Sequence, residues 1–403
     1  MRILLACDFP DDPTLGSSKV PHELRKAFLR LGHDCDALFT NDLGSWPRQR
    51  HARDLLAPRL AARAIARACR TNGPYDVVEV AGAEGAAFRT LRARGIAAGA
   101  AFVSRSNGLE HLNYARLLDD AGDGLLSKPL HRRVWYPAVR LRQVRRAIAA
   151  CDRLILLNEQ DRAFVVSHGW KSADVVDVIG HGLPERFLEP PPFDAPRGGG
   201  VLFCGSWDPV KGGPYLAAAW RILAADGGAP PLTILGGGRP AVVIREAFDP
   251  MCRHAVRVHD RAAEDEVLRQ YRRHDLLVMC STYEGYGLVV PEAMSQRLPV
   301  VATPVGVATT LVRHGETGVI VLPRDADAIA RAVRRLMSDA AERERLAEAA
   351  LRAVHGLSWL AAARRTLDAY DRARLRGSVS ASRYGAAGET SQVHGSADEH
   401  QPV

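Results

Sequence analysis

The sequence has little that would tie it to a metal, a disulfide framework or a membrane. Its seven cysteines are odd in number and scattered from Cys7 to Cys280, with no C-x-x-C pair. That usage fits a reducing compartment and argues against a disulfide or zinc framework. There is no H-E-x-x-H and no local His/Cys cluster. Two D-x-D triplets, Asp34-Cys35-Asp36 and Asp325-Ala326-Asp327, fall at a strand start and a helix start and read as local structure rather than metal ligands. No apolar run approaches the length of a membrane span. The opening Met1-Arg2-Ile3-Leu4-Leu5-Ala6-Cys7-Asp8 is too short for a signal-peptide core and reads as a first strand. The formal net charge is +8, yet no nucleic-acid module accompanies it. The charge therefore points to phosphorylated substrates or anionic lipid, not to nucleic acid. The expectation is a cytoplasmic protein, with no metal and no other cofactor.

The chain has ordinary globular material in quantity. Its 403 residues, 47% hydrophobic and 25% charged, are too many for one typical core and imply two domains. Strand and helix signals alternate, which predicts α/β layers with mainly parallel, doubly wound sheets. Strand signals lie at residues 2–7, 76–80, 100–104, 153–157 and 175–179. A loop at Gly16-Ser17-Ser18 precedes a helix with Pro21 near its start and Gly32 as its stop. The run Glu189-Pro190-Pro191-Pro192 to Gly198-Gly199-Gly200 reads as a linker. The pattern then restarts with strands at 201–204 and 232–235 and a helix from about Pro214. The predicted organisation is a first domain over 1–189, a linker over 190–200, a second domain over 201–357, a crossover helix over 358–377 and a disordered tail over 378–403.

The densest chemistry lies at Ser281-Thr282-Tyr283-Glu284-Gly285-Tyr286-Gly287-Leu288-Val289-Val290-Pro291-Glu292. An apolar run at 275–279 leads in, and another strand-like run at 298–303 follows. Backbone N–H groups at such a turn favour anions such as phosphate. Glu284 and Glu292 cannot serve phosphate, but they suit hydroxyl donors. A site needing phosphate and hydroxyl partners together is a nucleotide-sugar site.

The pattern E-x7-E across Glu284 and Glu292 resembles the signature of glycosyltransferase family 4, retaining enzymes of the GT-B fold with two Rossmann-like domains facing a cleft. Lys211-Gly212, Pro299-Val300-Val301-Ala302-Thr303 and Gly315-Glu316-Thr317-Gly318 also stand where that family has similar segments. The resemblance covers roughly residues 1–375. It implies a nucleotide diphosphate sugar as donor and a hydroxyl-bearing acceptor. Glu292 would hold the donor ribose and Glu284 the donor sugar. The N–H groups of Gly285, Tyr286, Gly287 and Leu288 would line the sugar and phosphate pocket. Lys211 would neutralise the departing diphosphate, with Gly205 before it and the Gly16-Ser17 loop approaching from the first domain. It also implies that the last helix returns to the first domain.

The sequence departs from the family pattern in two places. Where the family has an arginine five positions before the lysine stands Ser206. Either Lys19 or Arg261 substitutes for that cation, or stabilisation of the leaving group is weaker. Where many members have a histidine stands Asn107, in Ser106-Asn107-Gly108-Leu109-Glu110-His111. Asn107 can bond a sugar hydroxyl but is no base, so Glu110 or His111 are the candidates for proton handling. The basic stretch Arg132–Arg146, interleaved with Trp135, Tyr136, Val139 and Leu141, could meet an anionic membrane surface or be a solvated helix face. His181, between two glycines near the hinge, reads as structural or as facing the diphosphate. A nucleotide-sugar epimerase of the same fold and a non-catalytic sugar-nucleotide binder remain as alternatives.

Overall fold

A computed structural model of the chain describes residues 1–13, 16–44, 49–125, 130–192, 196–259 and 262–385. Two parallel sheets of six strands form its centre. The first contains β1 (Arg2–Ala6), β2 (Asp34–Leu38), β3 (Val77–Ala81), β4 (Ala101–Arg105), β5 (Arg153–Leu156) and β6 (Val176–Val178). The second contains β7 (Val201–Cys204), β8 (Leu232–Leu235), β9 (Val256–His259), β10 (Leu276–Met279), β11 (Val300–Ala302) and β12 (Val319–Ile320). The central strands are mostly apolar and buried, as helix-covered parallel sheets require, with Glu79 in β3 and Ser104 and Arg105 in β4 as buried polar exceptions.

The strand order is β2-β1-β3-β4-β5-β6 in the first sheet and β12-β11-β10-β7-β8-β9 in the second. The winding direction reverses between β1 and β3, and again between β7 and β10. Open α/β sheets bind ligands at the carboxyl ends of the strands beside such a reversal. β1 leads to the helix Gly16–Arg30, β7 to Gly205 and Lys211, and β10 to Glu284. The topology therefore delivers the sequence-marked residues to the two crevices.

Several elements differ from the sequence reading. The expected loop at Gly16-Ser17-Ser18 is the first turn of the helix Gly16–Arg30, and Pro21 lies inside it. Pro21 is the sixth residue of that helix, so it gives up the i→i−4 bond its N–H would have made to the Ser17 carbonyl. β2, β9 and β12 carry weak apolar signals, and β12 is only two residues long. Asp325 caps the helix Ala326–Ser338, its Oδ1 accepting from the Ala328 N–H at 2.7 Å. Asp36 accepts from the Tyr75 hydroxyl at 2.6 Å.

The last helix, Trp359–Gly385, continues into the stretch expected as a tail, while residues 386–403 lie outside the described residues. Its Trp359, Ala363, Leu367 and Tyr370 pack with Leu5, Phe28 and Val103 of the first domain. A buried polar anchor accompanies this apolar contact. Arg105 donates from Nε to Glu79 Oε1 at 2.7 Å and from Nη2 to Glu79 Oε2 at 3.0 Å. Tyr370 donates its hydroxyl to the same Glu79 at 2.8 Å.

Candidate functional site

The centre of the site is an ion pair. Lys211 follows β7 in a single 3-10 turn, and Gly212 after it has φ of 83°. A Cβ on Gly212 would lie 2.1 Å from the Cys280 carbonyl oxygen, so only glycine lets this loop press on the end of β10. That approach sets the lysine beside Glu284. Lys211 Nζ donates to both Glu284 oxygens at 2.7 Å, and Ser281 Oγ donates to Oε1 at 2.7 Å. These groups line a cavity of about 300 Å³ together with Gly205, Gly16, Asn107 and His181. Gly285, Tyr286, Gly287 and Leu288 line it as well.

The second glutamate lies in the helix Val289–Ser295, nearly buried. Tyr271 donates its hydroxyl to Glu292 Oε2 at 3.0 Å, and Lys19 Nζ lies 3.8 Å from Oε1. Burial pushes the Glu292 carboxyl up, against the opposing pull of Lys19 and Tyr271. Lys19 is also paired with Glu264. Glu292, Lys19 and Glu264 line a larger cleft of about 950 Å³ that meets the first cavity at Gly16 and Leu288. The structure thus brings Glu284, Glu292, Lys211 and the first turn of the helix Gly16–Arg30 to one connected crevice. Arg261 lies outside the described residues. Ser17 is placed in that first helical turn.

The glycine turn also joins the two domains. A Cβ on Gly285 would fall 2.2 Å from the Asn107 carbonyl oxygen and 2.7 Å from Gly108 Cα. Asn158 donates from Nδ2 to the Gly285 carbonyl at 2.6 Å. The Tyr283 hydroxyl lies 3.3 Å from both Asp161 oxygens, and Leu109 N–H donates to Asp161 Oδ2 at 3.0 Å. Asn158 caps the helix Glu159–Ser167, accepting from the Asp161 N–H at 2.7 Å. Burial pushes Asp161 up to about 6.

The other candidates separate. Asn107 lines the Lys211 cavity, and its buried Oδ1 has no hydrogen-bond partner among the described residues. Glu110 opens the helix Glu110–Gly122 in a neighbouring cavity of about 290 Å³ that also contains Asn107. It accepts from the Tyr136 hydroxyl at 2.7 Å and from Arg140 Nε at 3.1 Å. His111 is turned the other way, edge-on to Trp170 with ring centroids 4.5 Å apart. Burial holds it down to about 4, and it lines none of the cavities described here. The structure does not bring His111, a candidate for proton handling or for contact with the sugar or acceptor, to these cavities: its helix points it at the aromatic cluster. Ser206 lies in the loop after β7 without lining the Lys211 cavity, although its neighbour Gly205 does. His181 combines both readings. It lines that cavity, yet is buried between Tyr286 and Trp359 and held down to about 3, hence neutral.

The basic stretch divides by burial. Arg140 turns inward, bonding Glu84 at 2.6 Å as well as Glu110. Arg133, Val134, Arg142, Arg145 and Arg146 face solvent. Among the described residues no group of three or more His, Cys, Asp and Glu is placed to hold a metal, and no helix is long and apolar enough to cross a membrane.

Sequence reasoning missed Tyr271, Ser281, Asp161 and the Glu84–Arg140 pair. Ser281 stood in the quoted motif without a role, and Asp161 left a second trace in the sequence. Asn158-Glu159-Gln160-Asp161 before an apolar run is an N-cap pattern, though nothing in it shows that Tyr283 will arrive from the other domain.

Residues 198–339 match the family of glycosyl transferases group 1. A D-inositol 3-phosphate glycosyltransferase from a Nocardioides species is 40% identical over 119 residues, which is 30% of this chain and 26% of that protein. The chain covers 56% and 59% of two further relatives of that name, so it spans less than two thirds of these curated relatives. Among solved structures, sucrose-phosphate synthase from Thermosynechococcus elongatus superposes with a TM-score of 0.72 at 20% identity, over 92% of this chain and 99% of that one. Anabaena HepE in complex with UDP and glucose gives 0.64 at 18% identity, over 91% and 99%. The two-sheet architecture is the GT-B fold.

Proposed function

We propose that this chain, a GT-B protein whose residues 198–339 match the group 1 glycosyl transferases, moves a hexose-type sugar from a nucleotide diphosphate sugar to a hydroxyl acceptor, with retention and without a metal. Breaking the bond between the anomeric carbon and the phosphate oxygen builds positive charge on the sugar and negative charge on the diphosphate. The Lys211 ammonium and the N–H groups of Gly285 to Leu288 would meet that diphosphate, fixed in place before reaction. Glu284 would accept from the sugar hydroxyls, and Glu292 from the ribose. The acceptor oxygen then bonds the anomeric carbon on the face the phosphate leaves, and its proton passes to the departing phosphate oxygen. Asn107 would bond the sugar or the acceptor between them.

The observation that carries this reading is Lys211 Nζ on both oxygens of Glu284 at 2.7 Å, in a cavity that both domains line. The UDP and glucose in HepE make uridine diphosphate sugars the first donors to assay. The test is a thermal-shift panel of uridine, guanosine, adenosine and thymidine diphosphates, followed by turnover of the sugar of the base that binds. Glu284→Ala should retain the nucleotide shift and lose transfer. Unchanged transfer would refute the role of Glu284. The exposed arginines beside Val134 support a peripheral contact with anionic lipid at the cytoplasmic face, which co-sedimentation with anionic and neutral vesicles would separate.

A further inference from the structure

The cavity around Glu110 has a charge arrangement that limits what can occupy it. It lies at the carboxyl ends of β1, β3 and β4 and shares Asn107 with the Lys211 cavity. A molecule in it would therefore reach the proposed point of transfer. Its ionised lining comprises Asp8, Glu84 and Glu110 against Arg105 and Arg140. Each guanidinium already has carboxylate partners. Arg105 is held by Glu79 at 2.7 and 3.0 Å. Arg140 is shared by Glu84 at 2.6 Å and Glu110 at 3.0 Å. Behind the wall, Arg53 Nη2 donates to Asp8 Oδ1 at 2.9 Å. With Glu79 and Arg53 counted as the partners of lining residues, four carboxylates stand against three guanidiniums among the described residues. Burial pushes Glu84 up, but even with a proton on Glu84 each guanidinium named here keeps a carboxylate partner, Arg140 through Glu110. A phosphate entering here would meet a lining in which, among the described residues, carboxylates outnumber guanidiniums and no row of turn N–H groups like that of Gly285 to Leu288 offsets them. A hydroxyl would find acceptors: the Glu110 and Asp8 oxygens, and the Asn107 Oδ1, which has no partner among the described residues.

We infer that the acceptor is an uncharged polyhydroxylated compound, a sugar or cyclitol without phosphate at the end that enters this cavity. The inference rests on the transferase reading, and its test keeps the two apart. The protein, first shown to bind a nucleoside diphosphate, is given a matching donor with paired acceptors: myo-inositol and its 3-phosphate, glucose and glucose 6-phosphate. Failure of every nucleoside diphosphate to bind would count against the transferase reading itself. The expected result is a kcat/KM at least about tenfold higher for the uncharged member, with the gap widening at low ionic strength as like-charge repulsion loses its screening. Glu110→Gln should narrow the ratio, whatever it does to the absolute rate. A phosphorylated member used equally well or better would overturn the inference, as would a preference indifferent to salt. Where neither member of a pair turns over, saturation-transfer NMR on the nucleotide-loaded protein reads their binding, and preference for the phosphorylated member again overturns it.

Discussion

At the scale of single residues, the site is organised by side chains whose charges oppose one another at short range. Lys211 is the cation nearest Glu284, and Ser206 offers no second charge. Lys211→Met should therefore lower kcat by about a hundredfold or more, the usual cost of losing one preorganised donor to a leaving group. Its effect on the donor KM should be smaller, which steady-state kinetics would read. Asp161 allows a sharper test. Its carboxyl is raised to about 6 by burial, above the ordinary value near 4. The folded state thus holds the proton more tightly than the unfolded chain. The resulting stabilisation is complete below about pH 4 and is lost as pH climbs through about 6. Asp161→Asn keeps an acceptor for Leu109 and Tyr283 without titrating. Its stability relative to the parent should rise between pH 4 and 7 in urea melts, and a difference flat across that range would contradict the account. Glu284 and Glu292 were legible in the sequence because a glycine turn between apolar runs is a local pattern. The Tyr283–Asp161 contact was not, since its partners lie 122 positions apart and meet only when the two sheets face each other.

At the scale of elements, what matters is how closely two loops approach. The loop after β4 and the turn after β10 touch through Gly108 and Gly285 with no room for a side chain. Gly285→Ala would put a methyl 2.2 Å from the Asn107 carbonyl, and neither backbone can yield without moving Asn107 or Glu284. A shift of about 1 Å at a reacting centre can cost on the order of a hundredfold in rate. Transfer should fall by that order while nucleotide binding, assayed by thermal shift, changes little. Retention of parent activity would mean that the two loops separate during turnover. Most strands could be placed from sequence because apolar runs of four or five residues mark buried parallel strands. The helix start at Gly16 could not, because Gly16-Ser17-Ser18 carries turn residues and Pro21 looks like a first-turn proline. The turn of His111 toward Trp170 was equally hidden, since neighbouring Glu110 and His111 necessarily project to different sides of one helix.

At the scale of the whole molecule, the last helix ties the chain's end to its beginning, and the tie is ionic as well as apolar. Arg105 and Glu79 are 4% and 6% exposed as side chains, and the Tyr370 hydroxyl completes the cluster from the helix Trp359–Gly385. The same Arg105 ends β4, immediately before Ser106 and Asn107. The cluster therefore supports both the return of the helix and the loop that meets Gly285. A buried pair adds little over apolar residues of similar volume, but removing one member strands the other charge at a cost of about 3–5 kcal/mol. Arg105→Met should be destabilised by that order in urea melts. Adding Glu79→Met should recover much of the loss, less the acceptor that Tyr370 then lacks. A single variant as stable as the parent would mean that the cluster is reached by water. A double variant no better than the single would place the cost in packing rather than in the unpaired carboxylate.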